Sequence, residues 1–188
     1  MITVLVGLAA VAVGAAAGYG LRLRRRRPAA VARGTSPTRQ ILLPFTGRSV
    51  SRRAFDAALR LARVEGATLM PTFIATVPMS LSMESPLPRQ CTVGMPLLDA
   101  IEQRALAQGI AVDSRIVRGR SYRDALRRML DSEHFDRVII SASDDSRVGL
   151  TGEDILWVLE RAEAEVLILR PAPQDTRVVS AGAIRGHF

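Results

Sequence analysis

Histidine, cysteine and paired carboxylates are the residues from which catalytic and metal sites are most often built, and this chain has few of them. His134 and His187 are its only histidines, and Cys91 is its only cysteine. Two distant histidines do not support a Ser/His/Asp triad or a metal-ligand spacing, and one cysteine excludes a disulfide within the chain. Asp144 and Asp145 are adjacent, so their side chains are expected to diverge into solvent. The sequence therefore predicts a protein that is not an enzyme and has no metal site.

Two segments combine turn residues with charges and are candidates for contact with an anion. Arg118-Gly119-Arg120-Ser121 could hold an anion, or it could be a turn in which Ser121 caps a helix. Further on, Thr151 is predicted to cap a helix whose first turn contains Glu153 and Asp154, where the helix dipole favours acidic side chains. A phosphate beside these carboxylates would meet like charges, which at about 4 Å cost roughly 4 kcal/mol at an effective dielectric of about 20. The two carboxylates are therefore interpreted as a built-in replacement for a phosphate.

The basic charge of the chain is confined to a short segment. The formal net charge is +8, all 26 basic residues are arginine, and seven of these precede residue 40, where no Asp or Glu occurs. The remaining 19 arginines, 26 minus 7, are balanced by 18 acidic residues. Because nucleic-acid binding requires basic residues gathered on a folded surface, no nucleic-acid partner is predicted.

An uncharged apolar run near the N terminus, Ile2–Leu21, has the length of about 20 residues that an α-helix needs to cross a bilayer. The arginine-rich stretch that follows, RLRRRRP, places the rest of the chain in the cytoplasm by the positive-inside rule. Residues 1–22 are thus predicted to be a single transmembrane helix and residues 23–40 a basic juxtamembrane linker, with the lipid bilayer as a partner. Gly14 and Gly18 have the GxxxG spacing, which fits either helix dimerisation or a plain anchor.

From Ile41 onward, short apolar runs alternate with segments of helical periodicity. This alternation predicts an α/β fold, a five-stranded mostly parallel doubly wound sheet over residues 41–173, followed by a flexible tail at 174–188. Ligands of such sheets bind beyond the carboxyl ends of the strands, where the strand order reverses. The predicted strands are Ile41–Phe45, Ala67–Val77, Ala111–Val117, Arg137–Ser143 and Val166–Leu169, and the predicted helices contain Ala54–Ala62, Pro96–Gly109, Tyr122–Met129 and Ile155–Ala162.

The beginning and the end of this region resemble the universal stress protein family. The opening ILLPFTGRSVSRRAFDAALRLARVEGATL is similar to the family's first strand, turn and helix, and the close ILWVLERAEAEVLILRP is similar to its last helix and strand. The segments between them resemble a membrane-associated branch of the family. The resemblance covers about residues 39–173. It implies an adenine nucleotide alpha hydrolase-like fold, a homodimer formed through Val166–Leu169, and a nucleotide cleft in those members that bind ATP.

The resemblance also assigns a candidate nucleotide cleft to particular residues. In nucleotide-binding members an acidic residue contacts the nucleoside at the position of Thr46, and a hydroxyl residue follows the last glycine at the position of Glu153. Both groups are absent here, so the cleft is predicted to be degenerate and without a bound cofactor, ATP included. The candidate residues are Phe45, Thr46, Gly47, Ser141, Ala142, Gly149 and Gly152.

These features together predict a membrane-tethered, universal-stress-like regulatory or interaction module on the cytoplasmic face of a membrane. Two alternatives stay open: a nucleotide sensor for ATP, AMP or a cyclic nucleotide, and an accessory subunit of a membrane complex. A membrane protein is a possible partner in addition to a second copy of the chain. An apolar loop with Met79, Leu81, Met83 and Leu87 is expected either to pack over the edge of the sheet or to meet a partner or the bilayer surface.

Overall fold

An apolar run that is almost entirely buried, Gln40–Phe45 (β1), forms the middle strand of the sheet. The computed structural model describes residues 39–47, 50–142 and 150–170 and the backbone of residues 178–179, all within the compact unit Pro37–Phe188. The other strands are β2 (Val50–Ser51), β3 (Thr68–Thr76), β4 (Arg115–Gly119), β5 (Arg137–Ser141), β6 (Glu165–Leu169) and β7 (Val178–Val179). The helices of the described part are α1 (Arg52–Glu65), α2 (Pro88–Leu106), α3 (Tyr122–Ser132) and α4 (Gly152–Arg161).

The main sheet has the strand order β4-β3-β1-β5-β6, and every pairing in it is parallel. The chain moves from β1 outward through β3 to β4, then returns to the other side of β1 for β5 and β6. Parallel neighbours require crossover connections, which the helices supply on both faces of the sheet. The predicted α/β fold with five parallel strands is confirmed, and the strand order reverses at β1.

The side chains of β1 alternate between two hydrophobic layers. Ile41 and Leu43 are buried on one face among side chains of α1 and α2. Leu42 is buried on the other face among side chains of α3 and α4. A strand covered on both faces reads as a continuous apolar run rather than an alternating one, which explains the composition of the first predicted strand.

Pro71 lies inside β3, next to the central strand, where a missing N–H is normally unfavourable. Leu69 donates its N–H toward the β4 side, and because successive residues of a strand face opposite neighbours, Pro71 faces that side as well. Pairing with β4 is interrupted there, between the Leu69–Val112 bridge and the Thr72–Arg115 pair. The residue offset between β3 and the β4 side is the same before and after the gap, so Pro71 interrupts the ladder without shifting its register.

The helix predicted to begin at Pro96 begins earlier, since α2 starts at Pro88 and contains Pro96 in its interior. Pro88 lies in the first turn, where its missing N–H is not needed. Pro96 removes one hydrogen bond from the middle of the helix. Leu97 and Ile101, which follow it, are fully buried against the sheet, so tertiary packing keeps the helix continuous through the proline.

Other boundaries follow local pairing and capping. α1 starts after Ser51, whose side chain accepts the N–H of Ala54, and ends at Gly66, which has the left-handed conformation that favours glycine, with φ of 61°. β4 begins at Arg115 rather than at Ala111. In the stretch before Arg115, only Val112 pairs with β3.

The predicted transmembrane helix at 1–22 and the linker up to residue 38 lie outside the described residues, as does the loop 143–149. Within the described part of the chain, no helix combines the length and the apolar character that crossing a membrane requires. Of the predicted tail at 174–188, the structure describes only the backbone of Val178 and Val179, which pairs antiparallel with Val50–Ser51.

Candidate functional site

A cleft lies between the carboxyl ends of β1 and β5, where the two strands no longer pair with each other. Their pairing stops after Leu42 and Val138, although the strands continue to Phe45 and Ser141. This is the reversal point of the sheet, where open α/β folds bind their ligands. The cleft has about 320 Å³ of free space, counted out to its open mouth. Its lining residues are Leu43, Pro44, Phe45, Thr46, Val50, Ser51, Ala54, Tyr122, Ser141 and Leu150.

Three of the predicted site residues, Phe45, Thr46 and Ser141, line this cleft together. Gly47 lies in the turn that follows β1 and has φ of 74°, a conformation that residues with a Cβ rarely adopt. The sharp turn after Thr46 therefore requires glycine at this position.

The other predicted site residues do not line the cleft or fall outside the described part. Ala142 continues the sheet by bridging to Leu150, and it donates its N–H to the carbonyl of Leu169. Gly152 is the first residue of α4, and a Cβ added there would meet no atom within 4 Å. Gly149 lies outside the described residues.

The N-terminus of α4 is closed by side chains of its own first turn. Thr151 is the N-cap, as the sequence predicts, and its hydroxyl oxygen accepts the N–H of Asp154. The same hydroxyl donates to the Asp154 carboxylate at 2.7 Å. Two of the polar groups that a bound phosphate would use at a helix N-terminus are thus already engaged.

Arg123, in the first turn of α3, provides the charge partner of this carboxylate. Its Nε lies 2.7 Å from Oδ1 of Asp154, and its second guanidinium nitrogen lies 3.4 Å from Oε2 of Glu153. The Asp154 side chain is mostly buried, whereas Glu153 is almost fully exposed. The strong contact is therefore with Asp154, and the pair joins α3 to α4 across the end of the sheet.

The contact between Arg123 and Asp154 shifts the pKa of both side chains. Burial raises the pKa of Asp154, but hydrogen bonds from Thr151 and the charge of Arg123 lower it by more, so its pKa lies below the ordinary value. The hydrogen bond to Asp154 raises the pKa of Arg123. Both groups are charged across the physiological pH range, so the α4 N-terminus presents a neutralised ion pair rather than a free positive end.

Tyr122 is one of the cleft residues that the sequence does not identify as part of a site, since the pattern indicates only that it belongs to the helix α3. Its hydroxyl is buried and, like the Ser141 hydroxyl, has no hydrogen-bond partner in the described part of the chain. Burial, aided by the charge of Asp154, raises the pKa of Tyr122 and keeps the phenol neutral. Its place directly after the Ser121 cap, at the carboxyl end of β4, is the signal that could have identified it.

Of the two arrangements that the sequence allows for Arg118–Ser121, an anion contact or a turn with a helix cap, the structure has the turn with the cap. Ser121 caps α3 by accepting the N–H of Asp124. Arg118 donates to the carbonyls of Met83 and Ser85 at 2.9 and 3.0 Å. Arg120 donates to the carbonyls of Val77, Pro78 and Leu81. Arg118 and Arg120 thus both hold the loop between β3 and α2.

The loop itself divides into a packed and an exposed part. Leu87 is buried in the core and Met83 packs against it. Met79 is 82% exposed and Leu81 is also exposed. Packing over the edge of the sheet therefore accounts for half of the apolar side chains of the loop.

The described residues around the cleft supply hydrogen-bonding and apolar groups. No group of three or more His, Cys, Asp or Glu side chains within the described ranges could hold a metal ion. The cleft is lined by aliphatic, aromatic and hydroxyl side chains, with the Arg123–Asp154 pair beside it. Such a surface can bind and orient a molecule through hydrogen bonds and apolar contacts.

The sequence matches no protein-family model and no curated protein. Similarity to solved structures is nevertheless extensive. A universal stress protein family member from Burkholderia pseudomallei is 22% identical, with 69% of this chain and 94% of that chain covered and a TM-score of 0.52. A universal stress protein solved in complex with cAMP is 22% identical, with 72% and 98% covered and a TM-score of 0.51.

A universal stress protein family member from Arabidopsis thaliana, solved with AMP bound, is 14% identical, with 74% and 95% covered and a TM-score of 0.52. These identities are low, so the similarity lies in the three-dimensional arrangement. It spans nearly the whole length of each of these proteins. The domain described here has the fold of the universal stress proteins.

Proposed function

We propose that this protein is a membrane-tethered, non-catalytic regulatory or interaction module whose cleft excludes the phosphates of a nucleotide. One observation carries the proposal: the Asp154 carboxylate is held at the α4 N-terminus by Thr151 and Arg123, at 2.7 Å from each. A nucleotide phosphate entering there would have to displace this carboxylate or lie beside it. The phosphate would find Thr151 and Arg123 already bound to a carboxylate, and contact with that carboxylate at about 4 Å would cost up to roughly 4 kcal/mol at an effective dielectric of about 20.

Calorimetric titration of the full chain in detergent with ATP and with AMP tests this proposal. We expect no binding heat from the native protein at millimolar nucleotide. Asp154→Asn removes the negative charge without changing the shape, so any residual affinity for phosphate should appear in this variant. Asp131→Asn, which neutralises an exposed carboxylate of α3, is the matched control. Tight ATP binding by the native protein would contradict the proposal.

The alternative function is a nucleotide sensor, and two observations favour it. The cleft lies at the reversal point of the sheet, with two buried hydroxyls that have no partner in the described part of the chain. Two of the structurally similar proteins were solved with cAMP and with AMP. The same titration distinguishes the two functions, because a sensor binds nucleotide in its native form.

The membrane tether rests on the apolar run Ile2–Leu21 and on the arginines that follow it. In this arrangement the folded domain lies on the cytoplasmic face and acts on a membrane protein or as an accessory subunit of a membrane complex. Protease treatment of sealed vesicles tests the orientation. The domain should be digested in inside-out vesicles and protected in right-side-out vesicles, and the reverse pattern would contradict a cytoplasmic location.

A homodimer formed through Val166–Leu169 is part of the same proposal. β6 is an edge strand of the main sheet, and its Ile168 is 37% exposed. Leu156 and Leu159 of the preceding helix are also exposed. The opposite edge, β4, carries Arg115 and Arg118, and charged side chains disfavour pairing between edges. These features support β6 as the edge that meets a second copy.

A further inference from the structure

The solvent-facing side of α1 carries positive charge along nearly its whole length. The exposed residues of this helix are four arginines and one valine: Arg52, Arg53, Arg60, Arg63 and Val64. With 3.6 residues per turn, these positions fall within about one third of the helix circumference. The buried alanines, Phe55 and Leu59 lie on the remaining part. The four arginines therefore form one continuous stripe, called the arginine stripe below.

The arginine stripe is almost entirely of one sign, whereas a solvated helix surface usually mixes both signs. Asp56 is the acidic residue within it and lies 3.6 Å from Arg52. Among the described residues, no ion pair holds Arg60 or Arg63. From residue 40 onward, the chain outside α1 has 15 arginines, 19 minus 4, and 16 acidic residues, 18 minus 2. The excess positive charge after residue 40 therefore lies on this helix.

The C-terminal end of the stripe adjoins the point where the chain enters the domain. Arg39 precedes β1, and its guanidinium lies 3.6 Å from the carboxylate of Glu65, the last residue of α1. The Arg39 side chain is itself more than half exposed. Val64, which is 80% exposed, adds an apolar side chain at the same end. Arginines beside an exposed apolar side chain match the headgroup and acyl layers of an anionic bilayer.

Nucleic acid is the other polyanion that a stripe of arginines could bind, and the residues favour the bilayer. The exposed positions of α1 offer no aromatic, Asn or Gln side chain with which to stack on a base or read its edge. The proposed anchor and its arginines lead into the domain through Arg39, beside the end of the stripe. A tether that enters there raises the effective concentration of lipid at α1.

We propose that the outer face of α1 is a docking surface for an anionic phospholipid bilayer. The arginine stripe contacts the headgroups, and Val64 lies at the boundary of the acyl chains. The domain is then held with this helix against the membrane rather than joined to it by the linker alone. This inference rests on the proposed function, in which the domain is tethered to a membrane, and it adds the face that meets the lipid.

Quenching of tryptophan fluorescence by brominated acyl chains measures which face meets the bilayer. The full chain is reconstituted into phosphatidylcholine vesicles with or without phosphatidylserine, and Trp157→Phe removes its only native tryptophan. Val64→Trp should be quenched in the anionic vesicles, and the quenching should be lost in neutral vesicles and at high salt, which screens exposed charges. Met79→Trp, at a position that is 82% exposed beyond the carboxyl end of β3, is the control and should be quenched in neither.

Charge variants test whether the arginine stripe itself holds the domain. Arg60→Gln/Arg63→Gln, added to Val64→Trp, should abolish the quenching without lowering the Tm, because no described ion pair is lost. Arg127→Gln/Arg128→Gln removes the same charge from α3, where both side chains are exposed, and should leave the quenching unchanged. Equal loss of quenching in both double variants would mean that net charge rather than this face attracts the lipid, which overturns the inference.

Extraction of the vesicles with alkaline carbonate separates this inference from the proposed tether. Unquenched Val64→Trp in a chain that resists extraction overturns the inference and leaves the tether in place. Quenched Val64→Trp in a chain that carbonate releases contradicts the tether and supports the docking surface. A chain that associates with neither kind of vesicle contradicts both. Duplex DNA that binds the native chain but not Arg60→Gln/Arg63→Gln, without quenching by lipid, assigns the face to nucleic acid and overturns the inference.

Discussion

Asp154 is the residue on which the interpretation of the cleft depends. It accepts from Arg123 and from the Thr151 hydroxyl, and its own N–H is capped by the same threonine. A carboxylate in the first turn of a helix is favoured by the dipole even without these partners. Here the side chain also joins α3 to α4, so one residue combines a capping role with a contact between two helices.

We expect the stabilisation by Asp154 to depend on pH. The folded-state pKa is lowered, so the contribution is present above the ordinary Asp value of about 3.9 and is lost as the pH falls through the lower folded-state pKa. Asp154→Asn should therefore lower the Tm at pH 7, and the difference from the native protein should shrink steadily below pH 4. Thermal unfolding of both proteins across this range, with Asp131→Asn as control, measures the effect. A constant difference down to pH 2 would mean that the stabilisation by Asp154 does not come from its charge.

The loop between β3 and α2 shows how an element without regular structure is fixed. Two arginines from the β4 end donate to its backbone carbonyls, and Gln90 at the start of α2 donates to the carbonyl of Thr76 at 2.7 Å. Exposed loop carbonyls would otherwise be satisfied by water. The loop is therefore held in one conformation although Met79 at its tip is exposed.

Arg120→Ala should release this loop while the sheet stays intact. Its guanidinium contacts the carbonyls of Val77, Pro78 and Leu81, and these contacts have no replacement from an alanine. Hydrogen exchange should become faster over residues 78–85 and stay unchanged in β1 and β3. Arg60→Ala, which removes an exposed arginine from α1, should leave the loop unaffected. Unchanged exchange in the Arg120 variant would show that Arg118 and the packing of Met83 and Leu87 are sufficient to fix the loop.

At the scale of the whole molecule, the sheet has two open edges with different surfaces. β4 carries arginines, and Arg115 pairs with Asp113 at 2.7 Å and Glu133 at 3.8 Å on its exposed side. β6 is composed of EVLIL and is only half-buried along its length. An apolar edge strand is a ready template for pairing with another chain, so the asymmetry of the sheet favours association through β6.

Ile168→Asp should shift the protein toward a monomer, because the introduced carboxylate would be buried at the proposed interface of two β6 strands. Light scattering coupled to size-exclusion chromatography in detergent measures the mass of the native protein and the variant. Val64→Asp, on an exposed position of α1, is the matched control and should leave the mass unchanged. Equal dimer content in both variants and the native protein would exclude β6 as the interface. A native protein that is monomeric would contradict the dimer itself.

Much of the fold is determined by local features of the sequence. The apolar run from Ile41 predicts a strand buried on both faces, and Ser51, Gly66, Ser121 and Thr151 set helix ends because a side-chain oxygen or a left-handed glycine satisfies backbone groups within a few residues. These effects act over one helical turn, so a single sequence is sufficient to find them. The acidic first turn of α4 is also a local feature, and it predicts that phosphate binding is unfavourable at this helix N-terminus.

The tertiary structure alone decided what depends on residues far apart in the chain. The continuity of α2 through Pro96 comes from burial of Leu97 against the sheet. The Arg123–Asp154 pair spans 31 positions, and the contact of Tyr122 with the cleft that holds Ser141 depends on the strand order. The sequence determined most of the elements, the caps of α1, α3 and α4 and the parallel character of the sheet, because propensity, capping and hydrophobic periodicity are local. Only the folded chain determined which side chains meet at the carboxyl ends of β1 and β5, because that contact is set by how distant elements pack.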